Sequence, residues 1–349
     1  MRANRLVAEV RLVAIGVRHP SAVAGVRDHQ PVAALGGRYQ IEKRDLYEAS
    51  VTLDGYSTPL LPYPRQMTDS SNFSPKVSLE LRPADDLLVY TSWSKGFKSG
   101  TYNIVAITRP PNYVAPEEVT SVEAGIKSEW FDGSLRLNGA IFNNEIKNLQ
   151  VQIISLFSSG ATAFETAKGA RTRGAEFDLV WQPAPDALPG LVLTAAGTYL
   201  DTAYTDFAQG SGYDEQSGLF FGPLSYLGPG RDFKGNEITQ APEFTGNAGL
   251  SYSFDVPTGN IEIASDVYYN SGFFYTAQNS SRSEAPSYHL INARLSYLYE
   301  PWDLRLSVYG RNLNNARYYL FNYETDFGTS ALLQSPATYG LRLNWDFGR

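Results

Sequence analysis

Hydrophobic and polar residues alternate one by one along most of this 349-residue chain. The last segment shows the pattern best, because Leu341 and Leu343 alternate with Arg342 and Asn344. Successive side chains of a β-strand point to opposite faces of the sheet, so such a segment has one apolar face and one polar face. From Gly37 onward the period of two therefore predicts strands rather than helices.

About twelve such segments can be counted along the chain. They begin near residues 37, 73, 86, 117, 133, 162, 190, 241, 260, 286, 302 and 335. Short links at 83–86, 131–133, 183–190, 255–259 and 300–302 alternate with long links at 47–72, 99–116, 148–161, 204–240, 274–285 and 318–334. Short turns on one side of a sheet and long loops on the other are typical of an outer-membrane β-barrel.

A large soluble β-sandwich is the alternative fold, since its strands also alternate. Aromatic residues next to the short turns favour the barrel, because barrels carry an aromatic belt at the membrane interface. These residues are Trp130, Trp181, Tyr252, Phe254, Trp345 and Phe347. The predicted fold class is therefore all-β, an antiparallel transmembrane β-barrel of about 12 strands.

Composition narrows the possible partners and chemistry. A net charge of −7 argues against nucleic acid as a partner, and the absence of cysteine excludes disulfides and thiol chemistry. No run of eighteen apolar residues predicts a transmembrane helix, which does not exclude strands that face lipid with every second residue. Tyr and Phe are abundant, with 23 and 18 copies, as expected of a chain rich in strands.

The first 36 residues do not show the alternation. Glu9 and Arg11 interrupt what would otherwise be the apolar centre of a signal peptide. The expected organisation is an atypical leader over residues 1–36, with no domain of its own, followed by the barrel over residues 37–349. For the end of the leader, a residual strand ahead of Gly36 and Gly37 is the alternative.

No catalytic constellation is evident in the sequence. His19, His29 and His289 are the only histidines, and no His, Asp or Glu cluster has metal-ligand spacing. We therefore expect no enzyme, no catalytic residue, no metal site and no cofactor. Charged residues on the polar faces are expected to point into a lumen and to pair across neighbouring strands or with a plug. They are Glu80, Arg82, Glu123, Lys127, Arg136, Glu176, Asp178, Glu262, Asp266, Arg294, Arg305, Arg342 and Asp346.

Several longer motifs occur in a fixed order. They read VYTSWSKGFKSGTYN from Val89, PEEVTSVEAGIKSEW from Pro116, LRLNGAIFNNEIKNLQVQ from Leu135, RGAEFDLVWQP from Arg173, YGRNLNNARYY from Tyr309 and PATYGLRLNWDF at the end. In this order and spacing they resemble the C-terminal barrel portion of TonB-dependent outer-membrane receptors of the iron–siderophore type. The resemblance extends over roughly residues 37–347.

This resemblance implies a bacterial outer-membrane barrel of about 22 strands, plugged by an N-terminal domain. It also implies uptake of a ferric siderophore or similar small chelate, with iron present only as part of the ligand. The TonB complex would act through the plug, and no plug, signal peptide or TonB box is recognisable in this sequence. We expect a receptor fragment corresponding to the C-terminal part of the barrel. An autonomous passive pore and an adhesive surface protein are the alternatives.

Ligand contacts are expected in the long loops 204–240 and 318–334. Their aromatic side chains would stack on a chelate, and an arginine would pair with its negative charge. The candidate ligand-binding residues are Tyr213, Phe220, Tyr226, Arg231, Tyr319 and Tyr323. The alternative is that these aromatics pack the loops together. For Asn312 and Asn314 we expect a turn or bulge role rather than ligand binding.

Overall fold

The computed structural model describes residues 10–12, 31–46, 65–103, 112–155, 161–223 and 228–345. Within these ranges no helix has both the length and the hydropathy required to cross a membrane. Two short 3-10 helices lie at Ser281–Ser283 and Glu300–Trp302. The strands are β1 (Val10–Leu12), β2 (Val32–Leu46), β3 (Gln66–Ala84), β4 (Leu87–Lys98), β5 (Thr101–Asn103), β6 (Asn112–Val114), β7 (Glu117–Trp130), β8 (Leu135–Ser155), β9 (Ala161–Trp181), β10 (Leu191–Asp206), β11 (Gly212–Tyr213), β12 (Phe220–Phe221), β13 (Phe244–Val256), β14 (Gly259–Asn270), β15 (Phe273–Phe274), β16 (Glu284–Ala285), β17 (Tyr288–Tyr299), β18 (Leu304–Arg311), β19 (Tyr319–Thr325), β20 (Gly328–Leu333) and β21 (Thr338–Trp345).

Thirteen of these strands form one sheet, here called the wall, in the order β1-β2-β3-β4-β7-β8-β9-β10-β13-β14-β17-β18-β21. All neighbouring strands in it are antiparallel. The other strands form four two-stranded hairpins within the long loops, β5–β6, β11–β12, β15–β16 and β19–β20. The predicted all-β antiparallel fold is therefore confirmed.

The strands from β2 to β21 in the wall correspond one to one to the twelve predicted segments. β2 and β3 begin earlier than predicted, at Val32 and Gln66, and the others begin within a few residues of the predicted positions. A strand thus lies just ahead of Gly36, and β1 pairs with the segment from Gly37 to Tyr39. The division of the chain into leader and barrel stays a prediction.

The alternation of short and long links is also confirmed, with one correction. β8 and β9 remain paired from Leu135 opposite Trp181 up to Ser155 opposite Ala161. The long loop predicted at 148–161 is therefore mostly strand. Beyond Asn148, whose φ is 55°, Leu149, Val151 and Ile153 alternate with Gln150 and Gln152, so the pattern of a strand resumes and the pairing continues.

The apolar face of the wall is uncovered. Leu341, which is 74% exposed, and its cross-strand partner Val308 both lie on this face. Lipid tails are a suitable environment for such a face, whereas water is not. Trp130 and Trp181 lie beside the short turns, each in register with Leu135, where the sequence predicted an aromatic belt.

The polar face carries the charges that were predicted to point inward, apart from Asp346, which lies outside the described residues. Glu262 forms ion pairs with Arg294 and with Arg305, the latter at 3.8 Å. The hydroxyl of Tyr90 donates to the carboxylate of Glu123 at 2.7 Å across the β4–β7 pair. These contacts agree with the expected pairing of charges across neighbouring strands.

Two asparagines shape the link after β18, as predicted. Asn312 has a φ of 51°, and its side chain both accepts from the amide of Ala316 at 2.8 Å and donates to its carbonyl at 2.9 Å. Asn314 bonds to β17, accepting from the amide of Ile291 at 3.1 Å and donating to the carbonyl of His289 at 2.9 Å. The side chains thereby replace backbone ladder bonds where the strand turns away.

Candidate functional site

The halves of β8 and β9 that lie farthest from the short turns support the long loops. Each strand has 21 residues, about twice the 9–11 residues with which a strand crosses a bilayer. Because Trp181 lies at the short-turn end of β9, the halves near Ser155 and Ala161 project beyond the membrane on the long-loop side. The loops that follow β10, β14 and β18 have their hairpins on this side as well.

A buried apolar cluster, here called the loop cluster, holds these loops on the projecting strands. Phe207 packs against Tyr204 with ring centroids 5.2 Å apart and against Phe233 at 5.4 Å. Burial of such rings contributes roughly 1.5–3 kcal/mol per side chain relative to exposure. The members of the cluster are Val151, Ala167, Ala170, Tyr204, Phe207, Phe221, Phe233 and Ala277.

A cavity of about 130 Å³, here called the loop cavity, lies beside the loop cluster. Its lining combines residues of β8 and β9 with residues of the loops after β10, β14 and β18. Aromatic side chains form one part of the lining, namely Phe207, Tyr213, Phe220, Tyr275, Phe321 and Tyr323. Acidic and amide side chains form another, namely Gln152, Glu165, Gln240, Asn322 and Glu324.

Three of the six predicted ligand-binding residues meet in this cavity: Tyr213, Phe220 and Tyr323. Tyr213 and Phe220 are buried, with ring centroids 5.1 Å apart. The hydroxyl of Tyr213 donates to the carbonyl of Ile154 at 2.9 Å, and Gln278 bonds both its amide and its carbonyl at 2.9 Å. These two aromatics therefore pack the loops and line the cavity at the same time.

Of the other three predicted residues, the two that the structure describes do not line the loop cavity. Arg231 forms an ion pair with Asp214 at 2.6 Å, and its guanidinium lies 3.9 Å from the centroid of the Phe221 ring. Tyr319 accepts a hydrogen bond from the hydroxyl of Tyr275 at 2.7 Å through its backbone carbonyl. Tyr226 lies outside the described residues.

Two carboxylates in the cavity were not predicted as site residues from the sequence. Glu165 on β9 accepts hydrogen bonds from the amide of Ser211 at 2.9 Å and from the hydroxyl of the same residue. Glu324 on β19 accepts from the hydroxyl of Ser280 at 2.6 Å. Burial raises the pKa of both carboxyls above the ordinary value of 4.5. Their only signal in the sequence is an acidic residue among apolar and aromatic neighbours.

A larger hollow lies against the polar face of the wall. Its volume is about 630 Å³, and residues of the wall from β10 to β21 line it. The lining includes the paired charges Glu262, Arg294 and Arg305 described above. It is wide and polar, and its charges already bond to one another, so it is a lumen surface rather than a shaped binding site.

Metal chemistry finds no support in these sites. Among the described ranges, no three His, Cys, Asp or Glu side chains lie close enough together to hold a metal ion. Glu165 and Glu324 share the loop cavity without forming such a group.

Comparisons with known proteins agree with this architecture. The chain is 23% identical over 263 residues to a probable TonB-dependent siderophore receptor, PiuA, of Acinetobacter baumannii, which covers 73% of this chain and 32% of the relative. The crystal structure of PiuA matches with a TM-score of 0.65 at 18% identity, covering 90% of this chain and 40% of that one.

Two further solved structures share the fold. The ferric yersiniabactin uptake receptor FyuA of Yersinia pestis matches with a TM-score of 0.70 at 18% identity, covering 91% of this chain and 43% of that one. The copper transporter OprC matches with a TM-score of 0.65 at 12% identity, covering 91% and 46%. The chain thus spans less than half the length of these relatives.

A family model described as "TonB dependent receptor-like, beta-barrel" matches residues 32–315. Its match begins at the first residue of β2 and ends in the turn after β18. The chain therefore belongs to the family of TonB-dependent receptor-like β-barrels, which are transporters of the outer membrane and not enzymes.

Proposed function

We propose that this chain forms the part of a TonB-dependent receptor barrel that captures a ferric siderophore or similar small chelate from outside the cell. The observation that carries the proposal is the position of Tyr213, Phe220 and Tyr323, three aromatic side chains that meet on the long-loop side of the wall. The similarity to PiuA, a probable siderophore receptor, and to FyuA, a ferric yersiniabactin uptake receptor, supports this ligand class.

Capture and transport are separate activities in this proposal. The loops and the wall supply the binding surface, whereas energised release inward would require the plug domain and the TonB complex of a whole receptor. The copper transporter OprC shares this fold, and the proposal therefore does not rest on the shape of the wall for selection of the ligand. Selection is therefore assigned to the loops.

Ligand binding tests the proposal directly. The full chain in detergent is titrated with ferric catecholate, hydroxamate and phenolate chelates while its tryptophan fluorescence is recorded. We expect at least one class to quench the fluorescence at micromolar concentration and Tyr323→Ala to weaken its binding about threefold to tenfold, the contribution of one aromatic contact.

Tyr339→Ala provides the matched control, because Tyr339 lies on the uncovered face of β21, away from the loop cavity. Its binding should equal that of the unchanged chain. If no chelate binds, or if both variants lose affinity equally, the assignment of the loops as the capture surface is wrong.

A further inference from the structure

Two side chains in the loop cavity have a buried acceptor atom without a donor. Glu324 is 5% exposed; its Oε1 accepts from Ser280 at 2.6 Å, and its Oε2 has no hydrogen-bond partner. Asn322 is 4% exposed; its Nδ2 donates to the carbonyl of Arg282 at 2.8 Å, and its Oδ1 has no partner. Both residues line the cavity, and a buried acceptor without a donor calls for a hydrogen-bond partner.

The side chains of the cavity lining that can carry charge near neutral pH are acidic. Glu165 and Glu324 both line it, and in the part of the chain that the structure describes neither forms an ion pair. Arg282 is near enough to lower the pKa of Glu324, and Glu215 acts in the opposite direction. However, the guanidinium of Arg282 donates to the backbone carbonyl of Glu215 rather than to either carboxylate of the cavity. The lining therefore lacks a compensating cation.

The remaining lining is aromatic. Rings of Tyr213, Phe220, Phe321 and Tyr323 border the same space. The faces of aromatic rings attract organic cations, and they provide an apolar surface for an alkyl chain. An organic cation is therefore the class of ligand that the lining favours. It would bond to the acceptors without donors, neutralise the carboxylates and pack against the aromatic rings.

We propose that the loop cavity binds an aliphatic ammonium group, whose N–H donors bond to Glu324 and Asn322 while Glu165 supplies a second negative charge. An ammonium has three donors and no acceptor, which matches the two acceptors without partners. The volume of about 130 Å³ suits a small group, since a cavity of about 150 Å³ holds one benzene molecule. The preferred charge is opposite to that of the anionic chelate expected from Arg231.

Two sources offer this chemistry. The ammonium belongs either to a small amine dissolved outside the cell or to an arm of the chelate that the loops capture. The second source rests on the proposed function, whereas the first does not. The experiment below separates them.

The full chain in detergent is titrated with n-butylammonium, n-butanol and butyrate, three probes of similar size and different charge, by saturation-transfer NMR at pH 7.5. We expect binding of the ammonium alone and at least a tenfold loss of its affinity in Glu324→Gln. Glu165→Gln should cause a smaller loss, about threefold. Glu284→Gln changes an exposed carboxylate on a neighbouring loop and should change nothing.

Glutamine keeps the shape of glutamate and the acceptor for Ser280, and circular dichroism establishes that each variant has folded. If Glu324→Gln does not fold, the result for Glu165→Gln decides. Equal binding of n-butanol and n-butylammonium would overturn the proposal, as would unchanged ammonium affinity in the glutamine variants or no ammonium binding at all.

The source is identified with a ferric tris-hydroxamate that carries a pendant primary amine and with its N-acetylated form. A tighter interaction of the amine form, lost in Glu324→Gln, supports the chelate arm. Equal binding of both forms together with n-butylammonium binding supports a dissolved amine. If both forms bind equally and n-butylammonium does not bind, the ammonium site is overturned while the proposed capture of chelates stands.

Discussion

Acidic residues of the loops and of the strands beneath them lie in two opposite electrostatic environments. Asp214 is partly exposed, and its hydrogen bonds with Arg231 and with Ser217 hold the pKa of that carboxyl well below its usual range. Burial raises the pKa of Glu165 and of Glu324. A buried carboxylate without a cation opposes folding when it is ionised, whereas Asp214, which is paired with an arginine, does not.

This difference gives the loops a pH dependence with a definite sign. A carboxyl whose pKa is raised in the folded state favours folding at pH values below its unfolded pKa, and that advantage is lost as the pH rises through the folded pKa. We therefore expect the loops of the unchanged chain to become less stable as the pH rises from about 4.5 towards 8. Glu165→Gln and Glu324→Gln should each reduce this dependence.

Limited proteolysis of the long loops across this pH range measures the effect. Asp214 does not contribute there, because its titration lies below its ordinary value of 3.8. Asp214→Asn therefore serves as a control with unchanged pH dependence between 4.5 and 8. Greater protection of the unchanged chain at pH 8 than at pH 4.5, relative to the glutamine variants, would contradict the prediction.

Arg231 allows its structural and ligand-binding roles to be separated. Its ion pair with Asp214 and its contact with Phe221 hold the loop after β10. If that role is the main one, Arg231→Met and Asp214→Asn should both loosen this loop, each by about 0.5–1 kcal/mol, since the pair is exposed. Protease sensitivity of the loop and chelate affinity are measured on the same samples.

A ligand role predicts a different outcome. Arg231→Met would then weaken binding of an anionic chelate, while Asp214→Asn would leave the binding unchanged or strengthen it. We expect the structural outcome, in which the two variants behave alike.

At the residue scale the sequence predicted which kinds of side chain lie in the long loops better than it predicted what each of them contacts. Ligand contacts were predicted in the aromatic loops, which stays a prediction, and three of the named residues, Tyr213, Phe220 and Tyr323, do share one cavity. The pairing of Arg231 with Asp214, 17 residues apart in sequence, depends on how the loop folds back, which no local pattern encodes. The burial of Glu165 has the same cause, because Ser211, its partner, is 46 residues away.

The strands illustrate why prediction works better at the element scale. A period of two specifies both the strand and its buried or lipid-facing side, and a slip by one residue would reverse all side chains. The alternation therefore predicted the strands of the wall and their apolar and polar faces with few errors. It could not predict where β8 and β9 leave the membrane. An alternating strand has the same pattern whether its apolar face packs against lipid or against the long loops.

Leu341 tests the lipid-facing assignment of β21. It lies near the middle of the described strand, opposite Val308, with its side chain uncovered. We expect Leu341→Arg to destabilise the folded protein in lipid by about 2–4 kcal/mol, the cost of a cation at the bilayer midplane. Urea unfolding in phospholipid vesicles, followed by tryptophan fluorescence, measures the difference.

Ala196→Arg is the matched control on the polar face. Ala196 lies opposite Asp178 in the β9–β10 pair, so the new guanidinium would have a carboxylate partner. Its effect should stay below about 1 kcal/mol, as for other exposed ion pairs. If Leu341→Arg is tolerated as well as Ala196→Arg, the apolar face does not contact lipid.

The whole molecule is an arc of wall whose curvature matches that of larger barrels. Its fold superposes on FyuA with a TM-score of 0.70 over 91% of this chain, and this covers 43% of the receptor. Within the described residues the wall has two edges, at β1 and β21. Unpaired strand edges are costly in lipid, because no water satisfies their backbone groups. The edges therefore require further strands, whereas an autonomous pore of the strands from β2 to β21 requires β2 to pair with β21 in place of β1.

Cysteine cross-linking decides between these two arrangements, and the chain itself has no cysteine to interfere. Ile41→Cys on β2 combined with Leu341→Cys on β21 places one thiol on each side of the gap, both on uncovered positions. We expect a bismaleimide of about 10 Å to leave this pair unlinked within one chain, because an arc with the curvature of a barrel of about 22 strands keeps its ends apart.

Val308→Cys with Leu341→Cys is the positive control, since these residues face each other in the β18–β21 pair and must cross-link whichever arrangement holds. Efficient linkage of Ile41→Cys to Leu341→Cys within single chains, together with ion conductance in planar bilayers, would show a closed barrel and support the passive pore. Linkage of the control pair alone, without conductance, supports a wall that is completed by other strands. In that case uptake through a lumen would depend on the strands that complete the barrel, whereas the proposed capture of a ligand depends on the loops of this arc.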